Sequence, residues 1–208
     1  MEFFIALTFH ESDLHCQKIN SYRSRYDYKK SRSPHLLMSL LPPFSMGDKS
    51  LTPLQMSELV ECLRDDLDNF FTGHEENYLI HFDGFDFNIG KKGVVYLKPR
   101  LPEELFFFKE MSTCYLKEFG MNFKREEKNL KTNKESEYIF LPIARTSDQE
   151  LLGHAVSKAK SEFSRPFTLQ AKEVALFEKQ PGQWVCRSIL HHFNQEDEKS
   201  FTPELVLS

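Results

Sequence analysis

Histidine, serine and arginine side chains on or beside predicted strands are the groups best suited to acid–base or phosphate chemistry. His35 follows Pro34 at the start of a predicted strand that also carries Ser39. An imidazole exchanges protons near neutral pH, and a serine hydroxyl can hold a phosphate oxygen. His81 and Arg145 also lie on or next to predicted strands. The candidate ligand-binding residues are therefore His35, Ser39, His81 and Arg145.

Two of these candidates have an alternative interpretation. Arg145 precedes a predicted helix that begins near Ser147, and helix N-termini favour anions. The alternative for Arg145 is a surface ion pair with Asp148 or Glu150, and the sequence leaves both open. His81 lies on the opposite strand face from its two apolar neighbours. Its position is more typical of a hydrogen-bonded sheet histidine than of a ligand-binding one.

The most basic stretch of the chain interleaves cations with tyrosines where the first predicted helix ends. Aromatic rings between cations can stack on bases while the charges contact phosphates. The alternative is a solvated helix end, because charge runs more often serve solubility. The stretch contains Tyr22, Arg23, Arg25, Tyr26, Tyr28, Lys29, Lys30 and Arg32.

Metal, disulfide and cofactor chemistry lack the expected spacings in this sequence. His191 and His192 are neighbours on a predicted strand, so they point to opposite faces, and we expect a solvated pair. No P-loop, dinucleotide-binding or metalloprotease motif occurs, so we predict no cofactor and no metal. We expect four reduced, buried thiols, because no two cysteines form a CxxC pair. These are Cys16, Cys62, Cys114 and Cys186.

Composition and charge limit the classes of partner. The 208 residues carry a formal net charge of -4, so no global positive field would attract a DNA duplex. The apolar N-terminal run is too short for a signal peptide, and no stretch reaches the roughly 20 apolar residues of a membrane span. We therefore expect a soluble, cytoplasmic protein without a membrane partner.

Hydrophobic patterning predicts an α+β fold with largely antiparallel strands. The predicted order is β-α-β-α-β-β-α-β-α-β-β, and a strand–helix–strand–strand pattern nearly repeats. The repeat predicts two lobes around a central groove, with the helices outside, in one domain over 1–193. An acidic tail over 194–208 follows. The predicted helices are 12–26, 52–70, 102–120 and 147–163; the predicted strands are 3–9, 34–41, 78–82, 93–98, 138–144, 174–178 and 184–189.

Two segments resemble the paired motifs of the 2H phosphoesterases, the family of 2′-5′ RNA ligases and cyclic phosphodiesterases. Segment 34–44 reads PHLLMSLLPPF, and the first family motif commonly reads Pro-His-h-Thr-Leu-Leu-Pro-Pro-Phe, where h is apolar. Segment 140–145 reads FLPIAR, and the second motif commonly reads His-h-Thr-Leu-Ala-Arg. With the order of the surrounding strands, the resemblance extends over 3–193.

The alignment replaces both catalytic histidines of the family. Leu37 and Ser39 stand at the first His-x-Thr motif, and Phe140 and Pro142 at the second. The family chemistry needs one imidazole to accept a proton and another to donate one, which leucine and phenylalanine cannot do. His35 lies two residues before Leu37, about 6.6 Å along a regular strand, and a bulge could shift it toward the groove.

The resemblance therefore implies a degenerate relative that has lost phosphodiesterase activity and retains nucleotide or RNA-end binding in the groove. One alternative is an active phosphodiesterase that opens 2′,3′-cyclic or 2′,5′-linked phosphates with a shifted His35. A second alternative is a protein-interaction scaffold.

Overall fold

Strands and helices alternate along most of the chain. The computed structural model describes residues 1–29, 35–45, 52–71, 78–89, 92–123 and 139–193. In these ranges the helices are α1 (Leu14–Tyr26), α2 (Pro53–Phe71), α3 (Glu103–Glu118) and α4 (Gln149–Glu162). The strands are β1 (Glu2–Phe9), β2 (Leu37–Ser39), β3 (Phe44–Ser45), β4 (Leu79–Asn88), β5 (Gly93–Arg100), β6 (Asn122–Phe123), β7 (Leu141–Thr146), β8 (Phe167–Gln180) and β9 (Gln183–His192).

The strands form one curled antiparallel sheet, a half-barrel, and the predicted α+β class is confirmed. The sheet order is β6-β3-β1-β8-β4-β5-β7, with β2 also paired to β1 and β9 to β8. Strand β8 joins the parts of the sheet, because its first residues pair with β4 and its later residues with β9. The curl brings the edge strands β2 and β7 into contact.

The main core lies between the sheet and the helices. Helix α2 buries Leu59, Leu63, Leu67 and Phe71, which recur every four residues and form one stripe. Each fully buried leucine contributes roughly 1.5–3 kcal/mol of transfer free energy. Strand β1 is buried on both faces, which explains its continuous apolar sequence. None of the helices in the described ranges is long and apolar enough to cross a membrane.

Two helices begin one residue later than serine capping would place them. The sequence favours Ser12 and Ser147 as N-caps, but Asp13 and Asp148 occupy these positions. Asp13 Oδ1 accepts hydrogen bonds from the backbone N–H groups two and three residues later, at 2.7 and 3.2 Å. Asp148 Oδ1 does the same at 2.9 and 3.1 Å. Both carboxylates also favour the positive end of the helix dipole.

Several predicted strand boundaries are wrong, and the strand predicted at 174–178 is the much longer β8, which begins at Phe167. Gly84 does not end β4, because the strand continues to Asn88 and the pairing with β5 shifts at a bulge around this glycine. Gly84 has φ +113°, a conformation that side chains with a Cβ rarely adopt. Strand β2 is shorter than the predicted 34–41, and Phe140 precedes β7 instead of lying in it.

The charged, polar sequence over 121–137 predicts a long exposed loop, and this prediction is wrong at its beginning. Asn122–Phe123 forms β6 and pairs with β3, and Phe123 is buried. The rest of that loop and the acidic tail over 194–208 lie outside the described residues.

Candidate functional site

The motif positions lie on or beside the two sheet edges that meet. Leu37 and Ser39 are in β2, Phe140 directly precedes β7, and Pro142 is its second residue. All four side chains are half-buried. Because β2 contacts β7, the fold brings these two segments together from positions about a hundred residues apart.

Leu37 packs into an apolar cluster on the sheet face opposite the main core. In the β1–β2 pairing, Leu37 is opposite Thr8, and Ser39 is opposite Ala6. Alternation along β1 places these positions on the same face as Phe4. Leu37 and Trp184 pack against the buried members of this cluster. We call it the aromatic cluster; it contains Phe4, Ala6, Leu37, Ala175, Phe177 and Trp184.

Aromatic contacts hold this cluster together. The rings of Phe4 and Phe177 stack with centroids 5.1 Å apart, and Trp184 meets Phe4 edge-on at 4.6 Å. Ala6 and Ala175 are opposite each other in the β1–β8 pairing, so the face is lined by small and aromatic groups. The surroundings of the first motif position are therefore apolar.

The Ser39 hydroxyl is engaged within its own turn. Its Oγ donates to the Leu41 carbonyl oxygen at 2.6 Å. This bond stabilises the bend between the end of β2 at Ser39 and Pro42. A hydroxyl that donates to the backbone keeps acceptor capacity but has used its one donor. In this conformation Ser39 has no hydrogen to offer to a phosphate oxygen.

The second motif is aromatic as well. Phe140 contacts Tyr96 of β5 with ring centroids 4.9 Å apart. Pro142 is opposite Tyr96 in the β5–β7 pairing. Proline has no backbone N–H, and neither a proline nor a phenylalanine side chain has a polar atom, so neither side chain contributes a hydrogen-bond donor.

His35 does not occupy a shifted catalytic position. It precedes β2, its side chain is 64% exposed, and Nδ1 lies 3.0 Å from Glu11 Oε1. The pairing of β2 with β1 begins at Leu37 without an irregularity that would move His35 along the strand. A surface His–Glu pair at the start of the strand results.

Arg145 pairs with neither Asp148 nor Glu150. Its Nη1 donates to Asp27 Oδ2 at 3.0 Å, across 118 positions of sequence. Backbone contacts hold the same two segments together. Asp27 and Arg145 form a parallel bridge, and the Tyr28 N–H donates to the Arg145 carbonyl at 3.3 Å. The end of α1 is thereby joined to β7.

A second arginine completes this buried ion group. Arg23 Nε lies 3.6 Å from Asp27 Oδ2, and Arg23 Nη1 donates to the His35 carbonyl at 3.0 Å. Burial lowers the pKa of Arg23, and the Asp27 carboxylate opposes this change. Because an arginine guanidinium stays protonated in proteins, two cations share one carboxylate here.

The basic stretch at the end of α1 divides into buried and exposed members. Arg23 is buried in the ion group, and the buried Tyr22 hydroxyl donates to the Ala155 carbonyl at 2.6 Å. Tyr28 is 48% exposed, and Lys29 Nζ lies 6.0 Å from its ring centroid. Lys92, from the turn before β5, lies 5.8 Å from the same centroid. Lys30 and Arg32 fall outside the described residues.

The remaining histidine predictions have mixed outcomes. His81 is exposed between two buried neighbours, so its predicted face is confirmed. It pairs with Arg100, beyond the part of β5 that pairs with β7. The fold therefore does not place it beside the motif positions.

The expectation of a solvated histidine pair is wrong for His191. His192 is exposed, but His191 is buried and stacks on Phe71, and its Nδ1 lies 2.9 Å from Asp68 Oδ1. The two rings do point to opposite faces, as the strand alternation predicts.

Only one of the four thiols is fully buried as predicted. Cys16 is buried and Cys62 half-buried, whereas Cys114 and Cys186 are exposed. All four are free. Among the described residues, no group of three or more His, Cys, Asp or Glu side chains is arranged to hold a metal ion.

The chemistry available here is apolar contact, aromatic stacking and anion binding. Leu37 and Phe140 cannot transfer protons, so these positions do not provide the pair of imidazoles that acid–base catalysis would need. Sequence reasoning missed Glu11, Asp27, Lys92 and Tyr96 as neighbours of the candidate residues. The spacing of Asp27 four residues after Arg23 was a usable signal, because such pairs meet on one helix face.

A comparison with protein-family models finds none that matches this chain, and a comparison with curated proteins finds no similar sequence.

Proposed function

We propose that this chain is a catalytically inactive relative of the 2H phosphoesterases that binds a nucleotide or an RNA end without cleaving it. The relationship would make 1–193 one internally duplicated domain of two lobes around a groove. The proposal rests on the side chains that pack against Leu37 and Phe140. Leu37 packs into the aromatic cluster and Phe140 against Tyr96, beside two strands in contact.

The side chains at these positions cannot carry out general acid–base catalysis. A general acid or base contributes roughly 10²–10⁴ in rate, and both are replaced here by hydrocarbon groups. His35 does not substitute for either, because it is exposed and paired with Glu11. The half-buried Leu37, Phe140 and Tyr96 instead offer surfaces on which a base can stack or pack.

A turnover assay with matched histidine variants tests this proposal. Purified protein is incubated with a 2′,3′-cyclic nucleotide and with RNA ending in a 2′,3′-cyclic phosphate, and the ring-opened phosphate is followed by chromatography. We expect no product above the buffer control. His154 is a matched control for His35, because it is also exposed and lies near a glutamate, 3.9 Å away.

Turnover that disappears in His35→Ala and persists in His154→Ala would show an active enzyme and reject the proposal. Binding is measured separately by thermal shift with short RNAs and mononucleotides. A rise in Tm with one of these ligands is expected. No shift with any of them would favour the protein-interaction scaffold instead.

A further inference from the structure

We infer that Tyr28, Lys29 and Lys92 form a binding site for the phosphate and base of a nucleotide, outside the motif positions. The inference rests on the proposed function for the class of ligand. The contacts to the phosphate and to the base would lie on one surface, where α1 ends against the sheet. We call these three residues the Tyr28 site.

The fold brings the Tyr28 site together from two distant segments. The Tyr28 N–H donates to the Arg145 carbonyl of β7, and Arg145 is opposite Val94 in the β5–β7 pairing. Lys92 directly precedes β5, so its side chain reaches the Tyr28 ring. Lys29 follows Tyr28 in sequence, and its ammonium also lies near that ring. Both ammonium–centroid distances, 6.0 and 5.8 Å, are within the range of cation–π contacts.

The charge balance around the site is positive. These contacts join four cations, Arg23, Lys29, Lys92 and Arg145, and among the described residues that form them Asp27 is the carboxylate, so positive charges outnumber the negative one. Asp27 is fully engaged, because it also accepts the Lys29 backbone N–H at 3.1 Å. Among the described residues, none of the ion pairs includes Lys29 or Lys92.

This surplus is local, because the whole chain carries a net charge of -4. A cationic cluster on an acidic protein attracts anions to one place on the surface. A phosphate between the two ammonium groups would form charge-assisted hydrogen bonds, which are shorter and stronger than neutral ones. Arg145, whose side chain is 25% exposed, adds positive potential beside them.

The ring of Tyr28 selects a nucleotide over a free anion. About half of its surface is exposed, although its backbone is fixed against β7. Stacking of a base on an exposed aromatic side chain contributes roughly 1–3 kcal/mol, equivalent to about 5- to 150-fold in affinity. Phosphate contacts and base stacking are thus available side by side, where the end of α1 meets the residue before β5.

Isothermal titration calorimetry with AMP, adenosine and inorganic phosphate tests the site. We expect the wild-type protein to bind AMP more tightly than either fragment. We expect Lys29→Ala/Lys92→Ala to weaken AMP binding by about tenfold or more, since two charged contacts are lost. Tyr28→Ala is expected to reduce the affinity for AMP to that for phosphate, whereas Tyr28→Phe retains the ring and the affinity.

Lys98→Ala is the matched control. Lys98 is an exposed lysine of β5, six residues beyond Lys92 and therefore about 20 Å away along the strand. Its removal changes the net charge equally and is expected to leave the affinity for AMP unchanged. Circular dichroism of each variant verifies that the fold is intact.

Three outcomes would overturn the site: no heat of binding with AMP, equal affinities for AMP and phosphate, or equal weakening by Lys98→Ala and the double variant. The proposed loss of catalysis is judged separately by turnover of cyclic phosphates. Binding lost in the Lys29→Ala/Lys92→Ala variant of a protein that does turn over substrate would support the site and reject the inactive-relative proposal.

Discussion

Arg145 of β7 donates a hydrogen bond to Asp27 at 3.0 Å, and the Asp27 side chain has no exposed surface. The same carboxylate neutralises Arg23, which in turn donates to the backbone that leads into β2. One aspartate therefore connects the end of α1 to both edges of the curled sheet. The resemblance to the 2H phosphoesterases gave no indication of this group.

Removing the Asp27 carboxylate should destabilise the fold strongly. Asp27→Ala leaves two arginines near each other without a counter-ion, and breaking a buried ion pair in this way typically costs about 3–5 kcal/mol. Urea unfolding followed by circular dichroism measures the change. Asp83→Ala is the control, because its pair with Arg100 is exposed and contributes less than about 1 kcal/mol. Similar unfolding midpoints for the two variants would contradict a structural role for Asp27.

The N-caps give a second comparison between neighbouring residues. We expect Asp13→Ala and Asp148→Ala each to lower the free energy of unfolding by about 1 kcal/mol, because each removes the acceptor of two backbone N–H groups. Ser12→Ala and Ser147→Ala should change it little. Chemical denaturation of the four variants measures this difference, and equal losses at the serines would show that they are the caps.

Three of the four thiols should react with a thiol reagent in a defined order. Burial, together with the nearby carboxylates of Asp13 and Glu11, raises the pKa of Cys16 to about 11. Burial of its thiol also raises the pKa of Cys186, although that residue is exposed. At about pH 8, a thiol with a pKa near 11 is almost entirely protonated and unreactive. We therefore expect Cys114 to react first, Cys186 more slowly, and Cys16 only on unfolding.

Peptide mass spectrometry after timed labelling identifies each site. Cys114→Ser should remove the fastest phase and leave the others unchanged. Modification of Cys16 in the folded protein without denaturant would contradict its burial.

Sequence patterns predicted elements where one local signal dominates. The four-residue spacing from Leu59 to Phe71 gave α2, and the turn around Gly182 gave the β8–β9 hairpin. Gly84 was a misleading signal, because a glycine ends an isolated strand more readily than one paired in a sheet. Here β8 pairs with β4 only as far as Phe82, whereas β5 pairs with it before and after a bulge that accommodates the glycine.

The candidate site was less accessible to sequence reasoning, because its contacts are long-range. The partner of Arg145 is 118 positions away and the partner of His191 is 123 positions away, so neither could be read from neighbouring residues. Nothing in the sequence indicates that Lys92 lies beside Tyr28, because only the fold brings these two segments together. The degenerate motif positions could be named from the sequence, but their packing partners depend on the register of β1 with β2 and of β5 with β7.

The stability of the folded protein should depend on pH through His10. Burial is the main cause that lowers the pKa of His10 below its ordinary value of 6.5, and Lys172 lowers it further, whereas Asp13 and Glu173 act in the opposite direction. Among the described residues, none forms a hydrogen bond to the buried Nε2. As the pH falls, the unfolded imidazole is protonated first, so the unfolded state binds more protons over this range.

The contribution of His10 to stability is therefore complete above its unfolded pKa of 6.5 and is lost as the pH falls toward the lower folded value. His10→Gln cannot be protonated, so the difference in unfolding free energy between about pH 7.5 and pH 5 should be smaller in the variant than in the wild type. Denaturation at both pH values measures this difference. Because the other seven histidines are unchanged, they titrate in both proteins, and the comparison isolates His10. An unchanged pH dependence in His10→Gln would show that this imidazole is solvated in the folded protein.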